Sequence, residues 1–334
     1  MAQVRFAFLV ILLYCGNDVS AQNDSLRPVV FTGVANMEVR FGPNCMGNEQ
    51  ASLSCPHVII GGRLSLLNGW SVTSEFEYEH LYENHGWSHN LDNEFCSNAL
   101  YVTKSFTNAL NVKVGIVDIP VGMTNSRGPT LTIDDPESEA DMLPMVWHES
   151  GISLFGEYKR VAYSVTATSY LNTFEVLGLA GRADYRVAES LRLGFSGYIG
   201  KKCHGMIGRE TSEQYSCASL NYLSFDMDYS VNGFLLDGSI IYCSEGNGKS
   251  FGYECGYNLM FNNDDSKFHS QIIPFLRYDY VCSKLLNNTK KYTLGMNIVP
   301  IPNLIFKAEY GIRDYDCLET STQFALSLGY TVSF

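Results

Sequence analysis

Residues 324–334 read FALSLGYTVSF. Phe324, Leu326, Leu328, Tyr330, Val332 and Phe334 fall on one face of an extended chain, and Ala325, Ser327, Gly329, Thr331 and Ser333 on the other. Successive side chains of a strand point to opposite sides, so this alternation predicts a strand with one large unbroken apolar face and one small polar face. The stretch ends on an aromatic.

The other end of the sequence is consistent with export. Arg5 precedes an apolar run over residues 6–14, and Val19-Ser20-Ala21 places compact residues where a signal peptidase cuts, which predicts a signal peptide at 1–21 and a mature chain of 22–334. Beyond Ala21 no stretch approaches the ~20 apolar residues of a spanning helix. The chain is then either soluble and secreted or crosses a membrane as strands, and strands can do so only as a closed barrel, because an open edge would leave a row of backbone groups unpaired in hydrocarbon. Composition suits the barrel: 21 Tyr, 19 Phe, 29 Gly and only 17% charged residues. A lipid-facing surface diluted by a polar lumen gives such an average. The apolar strand closing on an aromatic also resembles the terminal strand that the outer-membrane assembly machinery of Gram-negative bacteria recognises.

About sixteen alternating stretches can be marked, the first at 30–41 and the last at 323–334. Tight turns such as Asn68-Gly69, Asn232-Gly233 and 262–265 separate some of them, and long polar connections separate the others. That pattern predicts an all-β transmembrane antiparallel barrel with short periplasmic turns and long external loops. Several strands carry charge on one face only. Glu75, Glu77 and Glu79 oppose Phe76 and Tyr78, and Arg182, Asp184 and Arg186 oppose Ala183, Tyr185 and Val187. With Lys104, Lys113, Arg277, Lys307, Glu309 and Arg313, these are candidate lumen charges, or else partners in cross-strand ion pairs. A soluble sandwich would also turn one polar face to water, but sixteen strands in one chain suit a barrel of porin size.

Nine cysteines follow Ala21. An oxidising exterior permits disulfides at loop bases, and the spacing suggests Cys45–Cys55, Cys203–Cys217, Cys243–Cys255 and Cys282–Cys317, with Cys96 left over. There is no C-x-x-C pair and no histidine at finger spacing, so a metal site is not expected, nor any cofactor.

The longest interruption, 120–151, begins Pro120-Val121-Gly122, passes Asn125, Pro129 and Glu139, and ends Pro144-Met145-Val146-Trp147-His148-Glu149-Ser150-Gly151 before a strand ending Phe155-Gly156. This order resembles the phosphate-selective porin (O/P) superfamily in the form found in Bacteroidota. The resemblance implies a sixteen-stranded barrel, often a homotrimer, whose third external loop, here 120–151, folds inward as a constriction. Asp134, Asp135, Glu137, Glu139 and Asp141 concentrate acid in that loop. Fixed charge at a narrow point sets ion preference, although a solvated external loop would also account for such a cluster. Phosphate recognition calls for arginine and lysine, whereas the chain has 23 Lys+Arg against 35 Asp+Glu. The expectation is therefore passive diffusion of small hydrophilic solutes or ions across the outer membrane, without phosphate selectivity. A barrel that merely anchors disulfide-braced loops for surface binding or adhesion is the alternative.

Other classes fit less well. His148, Glu149 and Ser150 are consecutive, so on a strand they point in alternating directions, and no G-x-S-x-G, phosphate-binding glycine loop or H-E-x-x-H occurs. An enzyme is not expected. A net charge of −12 argues against nucleic-acid binding.

Overall fold

Along Gly248–Tyr257 the residues Gly248, Ser250, Gly252, Glu254 and Gly256 are buried, while Lys249, Phe251, Tyr253 and Tyr257 are exposed. Here the apolar residues are outside and the small or charged ones inside, the reverse of a soluble sheet and the pattern of a membrane barrel. The computed structural model describes residues 29–43, 49–83, 86–87, 95–127, 131–169, 176–201, 219–261, 270–284, 288–316 and 320–333. The expected signal peptide at 1–21 lies outside them, as do Phe334, Cys45, Cys203, Cys217, Cys317 and the expected turn at 262–265.

The strands are β1 (Val29–Pro43), β2 (Glu49–Ser65), β3 (Trp70–Glu83), the two-residue β4 (Gly86–Trp87), β5 (Phe95–Thr107), β6 (Leu110–Asp118), β7 (His148–Tyr158), β8 (Val161–Ser169) and β9 (Val176–Ala188). They continue with β10 (Leu191–Lys201), β11 (Ser219–Val231), β12 (Phe234–Cys243), β13 (Gly248–Tyr257), β14 (Gln271–Cys282), β15 (Thr289–Ile301), β16 (Leu304–Tyr315) and β17 (Ser321–Ser333). β4 pairs only with β3. The other sixteen form an antiparallel ring, each bonded to its neighbours in sequence, and β17 returns to β1 from Thr32↔Ser333 to Phe41↔Phe324. The chain is a closed sixteen-stranded barrel, which leaves no sheet edge.

At one end lie the tight turns. Asn68 (φ 60°) and Gly69 (φ 73°), and again Asn232 (φ 48°) and Gly233 (φ 79°), take the left-handed conformations that two-residue hairpin turns require. The start of β1 and the end of β17 share that end, as does the longer connection 258–270, and the long connection from β6 to β7 lies at the other. Ile60, Ile199, Ile240, Leu276 and Leu294 on the outer surface are each more than half exposed, a belt suited to lipid. Trp70 and Phe106 flank it near the tight turns.

Two expectations change here. Lys104 does not face the lumen: it sits opposite Trp70, with its Nζ 5.2 Å from the Trp70 ring and 5.6 Å from Phe106, and it donates to the Asn68 carbonyl. Its neighbours Tyr101 and Thr103 are the buried, inward ones. A lysine at this level reaches along aromatic rings toward the headgroups.

The disulfide Cys243–Cys255 is also not formed. β13 starts at Gly248 rather than after a long loop, so Cys243 pairs with Gly248 while Cys255 lies mid-strand opposite Leu236. Seven residues of strand, about 23 Å, separate the two, far beyond the roughly 7 Å limit on bridged Cα atoms. Cys55 within β2 and Cys282 at the end of β14 are likewise unbridged among the described residues, and their expected partners Cys45 and Cys317 lie outside them.

Candidate functional site

The connection from β6 to β7 turns into the barrel instead of standing above it. Ile119, Val121, Met142, Leu143 and Trp147 are buried against Leu177, Tyr198, Leu220, Tyr222 and Ile241 of the inner wall. The Trp147 ring lies 5.0 Å from Tyr198 and 5.8 Å from Tyr222. Two short helices, α1 (Thr124–Arg127) and α2 (Glu137–Ala140), shape the loop between these anchors.

The conspicuous motif residues fold the loop onto itself. Asn125 donates from Nδ2 to the carbonyls of Val121 (3.1 Å) and Pro144 (2.8 Å), and its Oδ1 accepts from the Trp147 N–H at 3.1 Å. Glu139 accepts from the N–H groups of Met123 (3.0 Å) and Thr124 (2.7 Å), capping backbone donors that would otherwise be buried unpaired. Gly122 has φ 86°, and a Cβ there would meet Leu143 Cδ1 at 2.5 Å, so a glycine is needed for both reasons. Replacing Trp147 with alanine is expected to weaken loop docking by about 3–5 kcal/mol, the usual cost of emptying a buried aromatic site. Amide exchange that speeds up across 119–143 while the barrel strands stay protected is the result that checks it.

Beyond this core the loop is tied to charges and hydroxyls on the wall. The Gly122 N–H donates to Ser196 Oγ (3.1 Å), and Arg182 Nη1 donates to the Gly122 carbonyl (3.0 Å). The Leu131 N–H donates to Glu254 (3.0 Å), Lys307 Nζ to the Thr132 carbonyl (2.6 Å), and the Ile133 N–H to Glu309 (2.7 Å). Asp134 then meets Arg40 of β1 in a two-pronged pair at 2.8 and 2.5 Å. On the return, Glu137 meets Arg313 and, at 3.6 Å, Lys291, and Ser138 Oγ donates to Asp279 at 2.6 Å. The loop thus follows the inner wall from β9 through β16 to β1.

Under it lie two buried charge networks. Arg182 pairs with Asp226 (2.9 Å) and Asp184 (2.8 Å), and Arg192 joins both acids. Arg277 pairs with Glu254 (3.1 Å) and Asp279 (2.9 Å). Such charges are tolerated in a wall because each has a counter-charge beside it. Gly252 makes room for the second network: a Cβ there would meet Asp279 Oδ1 at 2.5 Å and Arg277 Nη2 at 2.7 Å.

The sequence-derived candidates therefore divide. Asp134, Glu137 and Glu139 are used in holding the loop, while Asp135 and Asp141 are exposed. Arg182, Asp184, Arg277 and Lys307 belong to the wall that supports it. Glu77 lies on β3, accepting from Asn98 at 2.5 Å and contacting His57 Nδ1 at 2.5 Å, with half-buried Glu75 two residues away. Arg186 is not brought to the loop; it is largely exposed near the tight-turn end, 4.0 Å from Glu157. The side chain of Glu79 falls outside the described residues. Sequence reasoning missed Arg40, Lys291, Glu254, His57 and Asn98. Strand parity signals Arg40, which lies on the same face as Glu38, but nothing local signals that its partner is Asp134.

The loop acids differ electrostatically. Burial works to raise the Asp134 carboxyl, but the Arg40 guanidinium overcomes this and holds it below the ordinary carboxylate range. A carboxyl depressed on folding contributes fully above its unfolded value of about 4 and loses its contribution as pH falls through the lowered folded value, so this tie persists at neutral and mildly acidic pH. Asp135 behaves oppositely. Burial inside the barrel, together with the adjacent Asp134, pushes it up to about 6, although its side chain still reaches the lumen.

No family model matches the chain. An uncharacterized protein of Aquifex aeolicus (strain VF5) is 26% identical over 168 residues, which are 41% of this chain and 38% of that relative's length. The solved structures are more informative. An anion-selective porin from Comamonas acidovorans superposes with a TM-score of 0.65 at 12% identity, covering 91% of this chain and 99% of that one. The fold is that of an outer-membrane porin. Salmonella typhi OmpF, in complex with daunomycin, shares the porin barrel at a TM-score of 0.65 and 10% identity over 91% of this chain and 97% of its own. The trimer form of OmpT, an outer-membrane protein of Vibrio cholerae, gives 0.58 at 9% identity over 91% and 99%. At 12% identity or less, these likenesses concern the barrel and not its individual side chains.

Proposed function

We propose that the chain forms a channel in the bacterial outer membrane through which small hydrophilic solutes and ions diffuse passively, with a mild preference for cations. The inner loop is the observation that supports this reading. A closed barrel with an apolar outside and a charged, loop-narrowed inside is a wall around a passage, and a narrowing sieves by size and by fixed charge.

Phosphate selectivity is not part of the proposal. Arg40, Arg182, Arg192, Arg277 and Arg313 all pair with carboxylates, so their charge is already matched within the wall and loop. Among the residues that carry the resemblance to phosphate-selective porins, Asn125, Glu139 and Trp147 serve the loop's own fold. The resemblance supports a shared loop architecture rather than a shared anion. The anion preference of the Comamonas neighbour is not carried over for the same reason. A homotrimer, as in the trimer form of OmpT, is the assembly proposed, with outer-membrane lipid and the assembly machinery as its other partners.

Planar bilayers with a salt gradient test the ion preference. The reversal potential is expected to take the sign of cation flow at neutral pH. A clear anion preference would overturn that part of the proposal.

A further inference from the structure

On the inner side of the wall the arginines are matched: Arg40, Arg182, Arg277 and Arg313 each hold a carboxylate. Three lysines at the external end of β13–β15 are not. Lys249, the second residue of β13, is exposed and lies on the outer face with Phe251 and Tyr253. Lys290, the second residue of β15, lies on the outer face with Tyr292. Lys284 is exposed just beyond β14, where its N–H donates to the Gly246 carbonyl at 2.9 Å and so holds it over the turn that enters β13. Among the described residues none of the three makes an ion pair. Asp314 of β16 stands across from Lys290, but it is engaged by Thr320 at 3.5 Å rather than by the lysine. Lys249 is level with Cys282 and Lys290 with Tyr280, so the two lie two strand spacings apart sideways and two residues apart in height, roughly 12 Å.

Beside and below the lysines the outer face carries a continuous bank of rings. Phe251 lies 5.4 Å from Tyr280 and 5.7 Å from Tyr278, and Tyr278 lies 5.9 Å from Tyr253 and 5.0 Å from Tyr292. Tyr253 and Tyr292 are half exposed. Rings at a membrane interface lie at the boundary of headgroups and acyl chains, and lysines above them reach into the polar layer. An anionic headgroup there meets three cations whose counter-charge the protein does not supply.

We propose that this sector of the external rim docks a phosphorylated glycolipid of the outer leaflet. Lys249, Lys284 and Lys290 take its phosphates, as point charges on flexible stems can, and the bank of rings lies along its sugar and the tops of its acyl chains. The spacing of Lys249 and Lys290 suits phosphates carried at the two ends of a disaccharide better than the single phosphate of a phospholipid. This reading needs only the barrel's place in the outer membrane and does not depend on its conductance.

The test is native mass spectrometry of the full chain in detergent, titrated with lipid A, a disaccharide that carries two phosphates and several acyl chains. The wild type is expected to retain lipid A, and to bind the same lipid stripped of its phosphates roughly tenfold more weakly or worse. Lys249→Gln, Lys284→Gln and Lys290→Gln should each weaken retention about fivefold, and the triple variant on the order of a hundredfold. Arginine at all three positions should keep it. Lys104→Gln, at the opposite rim, should bind as the wild type does. A triple glutamine variant that retains lipid A like the wild type overturns the assignment. Phosphatidylglycerol held as tightly as lipid A overturns it too, since the rim would then only attract anionic lipid. So does an oligomer that dissociates in Tyr278→Ala/Tyr292→Ala while lipid A retention is unchanged, which would assign the bank of rings to contact between copies of the chain.

Discussion

Replacing residues 131–143 with a short Gly/Ser linker is expected to raise single-channel conductance by roughly twofold or more, because the segment removed is the one lying inside the barrel. The span runs from Leu131, bonded to Glu254 and Asn297, to Leu143 in the loop core. The barrel strands do not depend on it for backbone pairing, since β6 and β7 are hydrogen-bonded to each other from Asn111↔Phe155 to Asp118↔His148. The replacement also uncovers Glu254, Asp279 and Glu309, whose acids then face water, so cation preference should persist or grow as conductance rises. Conductance unchanged by the replacement would mean that the loop does not limit the passage.

The second large effect concerns the wall. Asp226 is completely buried and shared between Arg182 and Arg192. Asp226→Ala leaves two guanidinium groups with only the partly exposed Asp184 close by and Asp228 at 3.8 Å, and removing one partner of a buried ion pair costs about 3–5 kcal/mol. The expected result is a marked fall in the temperature at which the detergent-solubilised barrel unfolds. Asp226→Asn, which keeps the volume and one acceptor, should fall less. Removing Arg182 together with Asp226 should also be milder than removing Asp226 alone, since no uncompensated charge remains from that pair. Equal unfolding temperatures for wild type and Asp226→Ala would show that Asp184 suffices for both arginines.

The barrel could be read from residues because its signal is local. FALSLGYTVSF declares its two faces by alternation, and it closes the ring on β1 in the register that places Phe324 opposite Phe41. Asn68-Gly69 declares its turn because few other residues accept positive φ. The site was legible only in outline. The acids of 134–141 stood out, but the cations that match them, Arg40, Lys291 and Arg313, come from strands far away in sequence, and their pairing depends on barrel geometry. A cluster that looked like a free acidic ring is mostly a set of fastenings. The Cys243–Cys255 expectation failed for a related reason: β13 already begins at Gly248, which puts Cys255 in mid-strand rather than at a loop base. Lys104 was assigned to the lumen without weighing Trp70 and Phe106, the rings it covers on the outside. Charge on a barrel strand faces the lumen only where register says so.

The central claim is that the barrel encloses a passage narrowed by its own loop. Liposome swelling tests it most directly. Purified protein reconstituted into vesicles is predicted to admit small neutral sugars quickly and larger oligosaccharides progressively more slowly, with the cutoff shifting upward when 131–143 is replaced. Vesicles that admit no solute of any size, with the wild type and with the loop replacement alike, would contradict the account and leave a barrel that only anchors its external loops.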